Sequence, residues 1–332
     1  MKTRILEVDI LKGFAMICMI IGHSIIVFPV DISHVPWCES LHNFIYSFHM
    51  ELLFLLSGFL YKKKDNASYY KGKAQRILIP YLIWGAIFVL MPVIFASVVH
   101  RDTSLSDGIK NYFFYGGGYW FLYTLLFVFL IYPVIDKLGY WIKVGLVLLL
   151  IITNYYIEYP PLFCIDQIMY YLPFFMIGNL LAEYNKKRDK QTTRFAGVFG
   201  LIFVMTLFIN RIISVPEYYS NLINTVCIMG LLSVAVYYIY NVFVTTGDVA
   251  LDKVISFTSL CGKYSLQLYL FNGFLLVPLR IVLCSLCKIT DPIIIVSVIS
   301  TVDIVLSLLA CFYILPKSRI LSLICGVKQE VK

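Results

Sequence analysis

Several charged and titratable residues stand in apolar surroundings where they are costly to place. Lys12 opens an apolar run of 18 residues, 13–30, and His23 lies 11 residues beyond it. On a helix the two side chains share a face about 16 Å apart, with Asp9 within about 60° of them. Gly22 removes side-chain bulk beside His23, so a substrate or a second helix can approach closely there. A second imidazole and a carboxylate, His49 and Glu51, fall within one turn of each other in the next apolar segment, near its outer end. Asp303 lies in the middle of the last segment. Ionisable groups at membrane depth require partners or a watered cavity. The set therefore points to a proton relay, a ligand site, or polar ties between helices. Residues 62–76 hold six cations (Lys62, Lys63, Lys64, Lys71, Lys73, Arg76) against one acid, Asp65. That excess suits a cytoplasmic loop and equally suits a site for a phosphate-bearing anion. Arg76 differs from the others in abutting the apolar Ile77-Leu78-Ile79-Pro80-Tyr81. Trp120 follows three glycines, Gly116 to Gly118, and has the character of a membrane-interface aromatic.

The elements that must position these residues are membrane helices. The 332 residues are 60% hydrophobic and 14% charged, with mean hydropathy +0.84. A soluble domain carries about a quarter charged residues. Ten stretches of spanning length are predicted, at 10–30, 41–61, 77–99, 119–136, 141–157, 165–183, 195–213, 220–241, 262–283 and 292–315, with a short interfacial piece within 242–261. On that segmentation 21 of the 27 Lys and Arg residues collect on the side holding both termini, and five lie opposite. This asymmetry places the termini in the cytoplasm and accounts for the net charge of +8 without nucleic acid. The expected architecture is an all-α integral membrane protein: one domain, residues 1–332, in a bundle of about ten transmembrane helices. The first run, preceded by Glu7 and Asp9 and followed by no small-residue cleavage pattern, reads as a retained helix. Loops are short, so any chemistry belongs to the bundle or its faces. Of nine cysteines, Cys284 and Cys287 have metal-type spacing, but no second pair or nearby His completes a site; no metal is expected.

Taken in order, these motifs resemble the acyltransferase family 3 of membrane O-acyltransferases. The likeness begins with Asp9-x2-Lys12-Gly13-x9-His23, where the family has a basic residue separated by ten positions from its essential His. Phe48-His49-Met50-x3-Phe54-x2-Ser57-Gly58-Phe59 follows, then Lys73-x2-Arg76-Ile77-Leu78-x-Pro80-Tyr81 and Trp120-Phe121-Leu122. Leu172-Pro173-Phe174-Phe175-x2-Gly178 and Gly262-Lys263-Tyr264-Ser265-Leu266-x-Leu268-Tyr269-Leu270 complete it. Two positions depart from the family. Lys12 stands where Arg is common, keeping the charge without the bidentate fork, and Asn272 stands where a second His is common.

The resemblance implies transfer of an acyl group, usually acetyl, from cytoplasmic acyl-CoA to a hydroxyl, often on a lipid-linked or extracytoplasmic glycan, in the cell inner membrane. Acetyl-CoA is then the donor, with Lys12, Lys73 and Arg76 at the cytoplasmic edge to meet its phosphates. His23, about 16 Å further in, is the expected general base or transient acyl carrier. Asp9, about 21 Å from His23 along the helix, is too far to orient it, which leaves Glu51 and Asp303 as candidate carboxylates. His49 and Trp120 are expected on the substrate side. The rival reading is a secondary transporter of a glycan precursor or organic anion, for which buried His, Glu and Asp serve as a proton relay. The absence of an internal repeat and of paired broken helices argues against it.

Overall fold

The computed structural model describes residues 6–26, 31–62, 66–94, 104–185, 218–225, 228 and 249–327. These residues form helices and connecting turns, with no strand among them. In chain order the helices are α1 (Leu6–Ile26), α2 (Pro36–Tyr46), α3 (His49–Phe59), α4 (Asn66–Lys73), α5 (Ile79–Ile94), α6 (Leu105–Tyr115), α7 (Trp120–Ile135) and α8 (Tyr140–Tyr156). Then follow α9 (Ile165–Asn185), α10 (Val249–Lys263), α11 (Ser265–Arg280), α12 (Pro292–Leu309) and α13 (Arg319–Ile324). Residues 218–225 are also helical.

Among the described residues, six stretches are long and apolar enough to cross a membrane: Leu6–Ile26, Ala67–Met91, Leu105–Ile135, Leu162–Tyr184, Ser265–Leu286 and Pro292–Lys317. They carry large apolar side chains outward, among them Leu90, Leu130, Ile293 and Phe312, as a multi-pass membrane protein requires of its lipid-facing surface. The expected span 141–157 is a 17-residue helix, Tyr140–Tyr156. Segment 195–213, and segment 220–241 apart from residues 220–225 and 228, lie outside the described residues.

Three expectations need correction. Segment 41–61 is two 11-residue helices, each about 16 Å long. Phe48 breaks the run with φ −154° and ψ −23°, and His49 is the first residue of α3. The cation-rich stretch before Ile77 is largely helical, with α4 running through a π-turn, Ala74–Leu78, into α5. The π-turn precedes Pro80, whose missing N–H leaves the Arg76 carbonyl without its helical donor. Finally, residues 249–263 form a 15-residue helix packed along α1 instead of a separate interfacial piece.

Helix α1 is the hub and touches α2, α3, α10, α11 and α12. Two glycine crossings set its surroundings. A Cβ on Gly13 would lie 1.8 Å from the Thr258 carbonyl oxygen, and one on Gly262 would lie 1.7 Å from that of Asp9. Gly58 and Gly178 join α3 to α9 in the same way: a Cβ on either would lie 1.9 Å from a carbonyl oxygen of the other helix. Within a bilayer, apolar surface gives helices little reason to associate, so small residues that let backbones meet carry the packing. The glycines of four sequence motifs are therefore structural joints. Lys143, near the start of the expected span 141–157, is buried at 2% exposure. It ties α8 to α9 by pairing with Glu183, and reaches Asp136 at 3.6 Å.

Candidate active site

Three of the predicted anion-binding residues converge. Lys12 of α1, Lys73 at the end of α4 and Arg76 in the π-turn line one cavity of about 170 Å³. Met16, Ser57, Ser265 and Tyr269 line it too, and Leu53, Phe121, Leu122 and Leu125 make the wall apolar. Lys73 sits with its Nζ 2.9 Å from the Phe129 ring centroid and 5.5 Å from that of Tyr69, so aromatic faces hold its charge. The π-turn matters here because it changes the rotation of the helix between Lys73 and Ile77, and all three of Lys73, Arg76 and Ile77 reach the same cavity. Such a site suits a ligand with an anionic head and an apolar or flexible arm.

Further along the same α1, His23 enters a relay across three helices. Its Nδ1–H donates to Asn272 Oδ1 at 2.8 Å, and Asn272 Nδ2 donates to Asp303 Oδ2 at 2.6 Å. Ser307, one turn past Asp303 on α12, donates to Asp303 Oδ1 at 3.1 Å. Asn272 and Asp303 are almost wholly buried, while His23 is half-buried. The chemistry of the partners fixes the direction of each bond. A carboxylate only accepts, so the amide nitrogen faces Asp303 and the amide oxygen faces His23. The proton on His23 must then be on Nδ1, and Nε2 is left with its lone pair, ready to take a proton or to attack a carbonyl.

Of the two carboxylates considered for His23, Asp303 is thus linked to it through Asn272, and Glu51 belongs to a different network. Glu51 Oε1 accepts from Tyr170 Oη at 3.1 Å and faces Asn221 Nδ2 at 3.5 Å; Asn221 Nδ2 also donates to Tyr170 Oη at 3.0 Å. His49 is buried, and its Nδ1–H donates to the Ile45 carbonyl at 2.8 Å across the break between α2 and α3. Tyr46 separates the imidazoles: its ring stacks on His42 at 3.9 Å, meets His49 edge-on at 4.8 Å and faces His23 at 6.3 Å. The space left by Gly22 is taken by this ring, whose Cε2 would stand 3.0 Å from an added Cβ. Trp120 is half-buried and stacks on Tyr171 at 5.6 Å, which stacks in turn on Phe54 at 4.4 Å.

Sequence reasoning passes over Asn272, Ser307 and Arg280. The first reads only as the absence of a histidine, although a polar residue at mid-helix in an apolar span is itself a signal. Arg280 reads as one of a few outer-side charges. No group of three or more His, Cys, Asp or Glu side chains placed to hold a metal occurs among the described residues, and Cys284 and Cys287 are free thiols.

Known proteins are similar to part of this sequence at low identity. The nodulation protein NolL of Mesorhizobium japonicum is 24% identical over 217 residues, which cover 63% of this chain and 56% of NolL. The glucans biosynthesis protein C of Shigella dysenteriae serotype 1 is 24% identical over 217 residues, covering 52% of this chain and 56% of that protein. Its counterpart from Escherichia coli O139:H28 is 24% identical over 251 residues, covering 61% and 65%. The chain therefore spans between about half and two thirds of the length of the curated relatives it matches. No solved structure matches. The sequence model of the acyltransferase 3 family, described as an acyltransferase domain, matches residues 5–315, nearly the whole chain, and the chain belongs to that family.

Proposed function

We propose that this protein is a membrane O-acyltransferase of the cell inner membrane. It moves an acyl group, acetyl in the first instance, from cytoplasmic acyl-CoA to a hydroxyl of a cell-surface or lipid-linked carbohydrate. The observation that carries the reading is the pairing, along one helix, of a cation-lined cavity with a His23–Asn272–Asp303 relay. The relatives' names, one of which speaks of glucans biosynthesis, support a carbohydrate acceptor. The full fold is a single domain of about ten transmembrane helices with both termini cytoplasmic, in keeping with the charge asymmetry of the loops.

On this reading Lys12, Lys73 and Arg76 hold the phosphates of acetyl-CoA at the cytoplasmic edge. The flexible arm runs inward past Met16 and Tyr269 and brings the thioester to His23, about 16 Å from Lys12. His23 Nε2 takes the proton of the acceptor hydroxyl as that oxygen attacks the thioester carbonyl. The carbon–sulfur bond breaks, and the leaving thiolate takes the proton back from the imidazolium, giving the ester and free CoA. While the ring is cationic, its Nδ1–H remains bonded to Asn272, whose other end meets Asp303; the carboxylate stabilises the charge without touching the ring. A transient acyl-imidazole uses the same Nε2 and the same supports. Trp120, backed by Tyr171 and Phe54, offers an aromatic face to a sugar ring, with His49 and the Glu51–Tyr170 pair supplying polar groups on the acceptor side.

The experiment that tests this reading is thermal stability of the purified protein with and without acetyl-CoA, followed by CoA release. The acyltransferase reading predicts a stabilisation that weakens in Lys12→Ala and Arg76→Ala. A transporter of a glycan precursor or organic anion predicts none.

A further inference from the structure

Beyond the relay, the next polar group on α11 is Arg280, whose side chain is completely buried at 0% exposure. Its Cα lies eight residues past Asn272, about 12 Å along the helix. Helical side chains lean toward the N-terminus, so the guanidinium reaches back toward the level of the relay. Its Nη1 donates to the backbone carbonyl of Ser24, the residue after His23. Ser24 is in the last turn of α1, where carbonyls lack intrahelical donors, so this bond caps the helix. Capping explains one nitrogen. Nε and Nη2 are buried without a hydrogen-bond partner among the described residues.

These two nitrogens are one side of the fork. Nε–H and Nη2–H point the same way from a planar guanidinium and form the edge that binds two oxygens of a carboxylate or phosphate in parallel. A buried cation with that whole edge unmet is expensive, and a helix cap alone does not require it. Among the described residues, no acid of the chain fills it. Asp31 acts on Arg280 only through space, and its Oδ1 accepts from the Ser33 N–H at 2.8 Å. The hydrogen bonds from Ser33 hold that carboxyl below the usual range, and it is solvent-exposed in the connection after α1.

We infer that Arg280 is a specificity-determining residue that receives an oxyanion carried by the acceptor, gripping it bidentately through Nε and Nη2. This rests on the acyltransferase reading for the word acceptor. The donor cavity lies on the Lys12 side of His23 and Arg280 is anchored beyond it at Ser24, so donor and acceptor approach the imidazole from opposite ends. An acceptor whose hydroxyl meets Nε2 carries its anionic group a few bonds away. The group is the carboxylate of an acidic sugar or the phosphate of a lipid-linked one; both present the two-oxygen edge.

The test uses the full-length protein in a non-ionic detergent, followed by thermal stability. The probes are glucuronate against neutral methyl glucoside, a polyprenyl phosphate against its polyprenol, and acetyl-CoA as a separate donor arm. The wild type is stabilised by an acidic probe and not by its neutral partner. Stabilisation by glucuronate alone assigns a sugar carboxylate, and by polyprenyl phosphate alone a lipid phosphate. Arg280→Lys keeps the charge and loses the fork, so apparent affinity for the effective probe falls about tenfold; Arg280→Gln abolishes it, and both keep the acetyl-CoA shift. If the glutamine variant does not fold, the lysine variant carries the result. The inference is overturned if neither acidic probe stabilises the wild type, or if the lysine variant responds to it as the wild type does. Failure of acetyl-CoA to stabilise the wild type would instead overturn the donor reading, whatever the acidic probes do.

Discussion

Asn272 is the residue whose replacement separates the relay from everything around it. Asn272→Leu is close to isosteric and removes both bonds at once, the 2.8 Å acceptor of His23 Nδ1–H and the 2.6 Å donor to Asp303. His23 then loses the partner that fixes its tautomer and ring orientation, and on the proposed mechanism its positive charge in the transition state loses its link to Asp303. General-base catalysis contributes about 10²–10⁴-fold to a rate, so turnover should fall by about that factor. Leaving two buried polar groups unpaired costs stability of about 1–3 kcal/mol each, so the variant's thermal stability must be measured beside its rate. Asn272→His is the counterpart. A neutral imidazole has one acceptor and one donor nitrogen; set between His23 and Asp303, it preserves the direction of both bonds. That order of donors explains how an asparagine occupies a position where the family often has a histidine. CoA release from acetyl-CoA by purified protein in lipid is the assay. The histidine variant should stay within about tenfold of wild type. Near-normal turnover of a folded Asn272→Leu protein would refute the reasoning.

Three further outcomes follow from the same geometry. Lys12→Ala and Arg76→Ala should each weaken acetyl-CoA binding by about 10-fold or more, with a smaller penalty at high salt, as read by titration at two ionic strengths. Asp303→Asn should lower turnover by about 10²-fold or more, whereas Glu51→Gln, outside the relay and still able to accept from Tyr170, should lower it far less; equal losses in the two would contradict the division into two networks. Gly262→Ala places a methyl group 1.7 Å from the Asp9 carbonyl oxygen. Backbone cannot step aside as a side chain can, so thermal unfolding should show a loss of at least about 1–3 kcal/mol, and an unchanged protein would mean that the α1–α10 crossing is looser than described.

Helical periodicity alone makes the Lys12–His23 axis legible, because both residues lie on one unbroken helix and need only its rise and turn. The convergence of Lys12, Lys73 and Arg76 follows from their common position at span ends. What stays hidden in the sequence depends on how helices face one another. Glu51 and Asp303 are equivalent there as buried acids, and only the rotation of α11, which aims Asn272 at both His23 and Asp303, distinguishes them. The break at Ser47-Phe48 is invisible because the apolar run contains neither proline nor glycine there. Gly13, Gly58, Gly178 and Gly262 are visible as motif letters, but their partners across the crossings are not. Arg280 looks like an outer-side charge near the end of a span, since its burial depends on the carbonyl of Ser24, more than 250 residues away in sequence.

The proposed transfer of an acyl group by His23 from CoA to a surface carbohydrate is tested most directly by mass spectrometry of surface-glycan O-acetylation. Cells making the wild-type protein, none, or His23→Ala at matched membrane levels are compared. O-acetyl groups should be present with the wild type and lost in the other two. Acetylation restored by His23→Ala, or unchanged without the protein, would contradict that role.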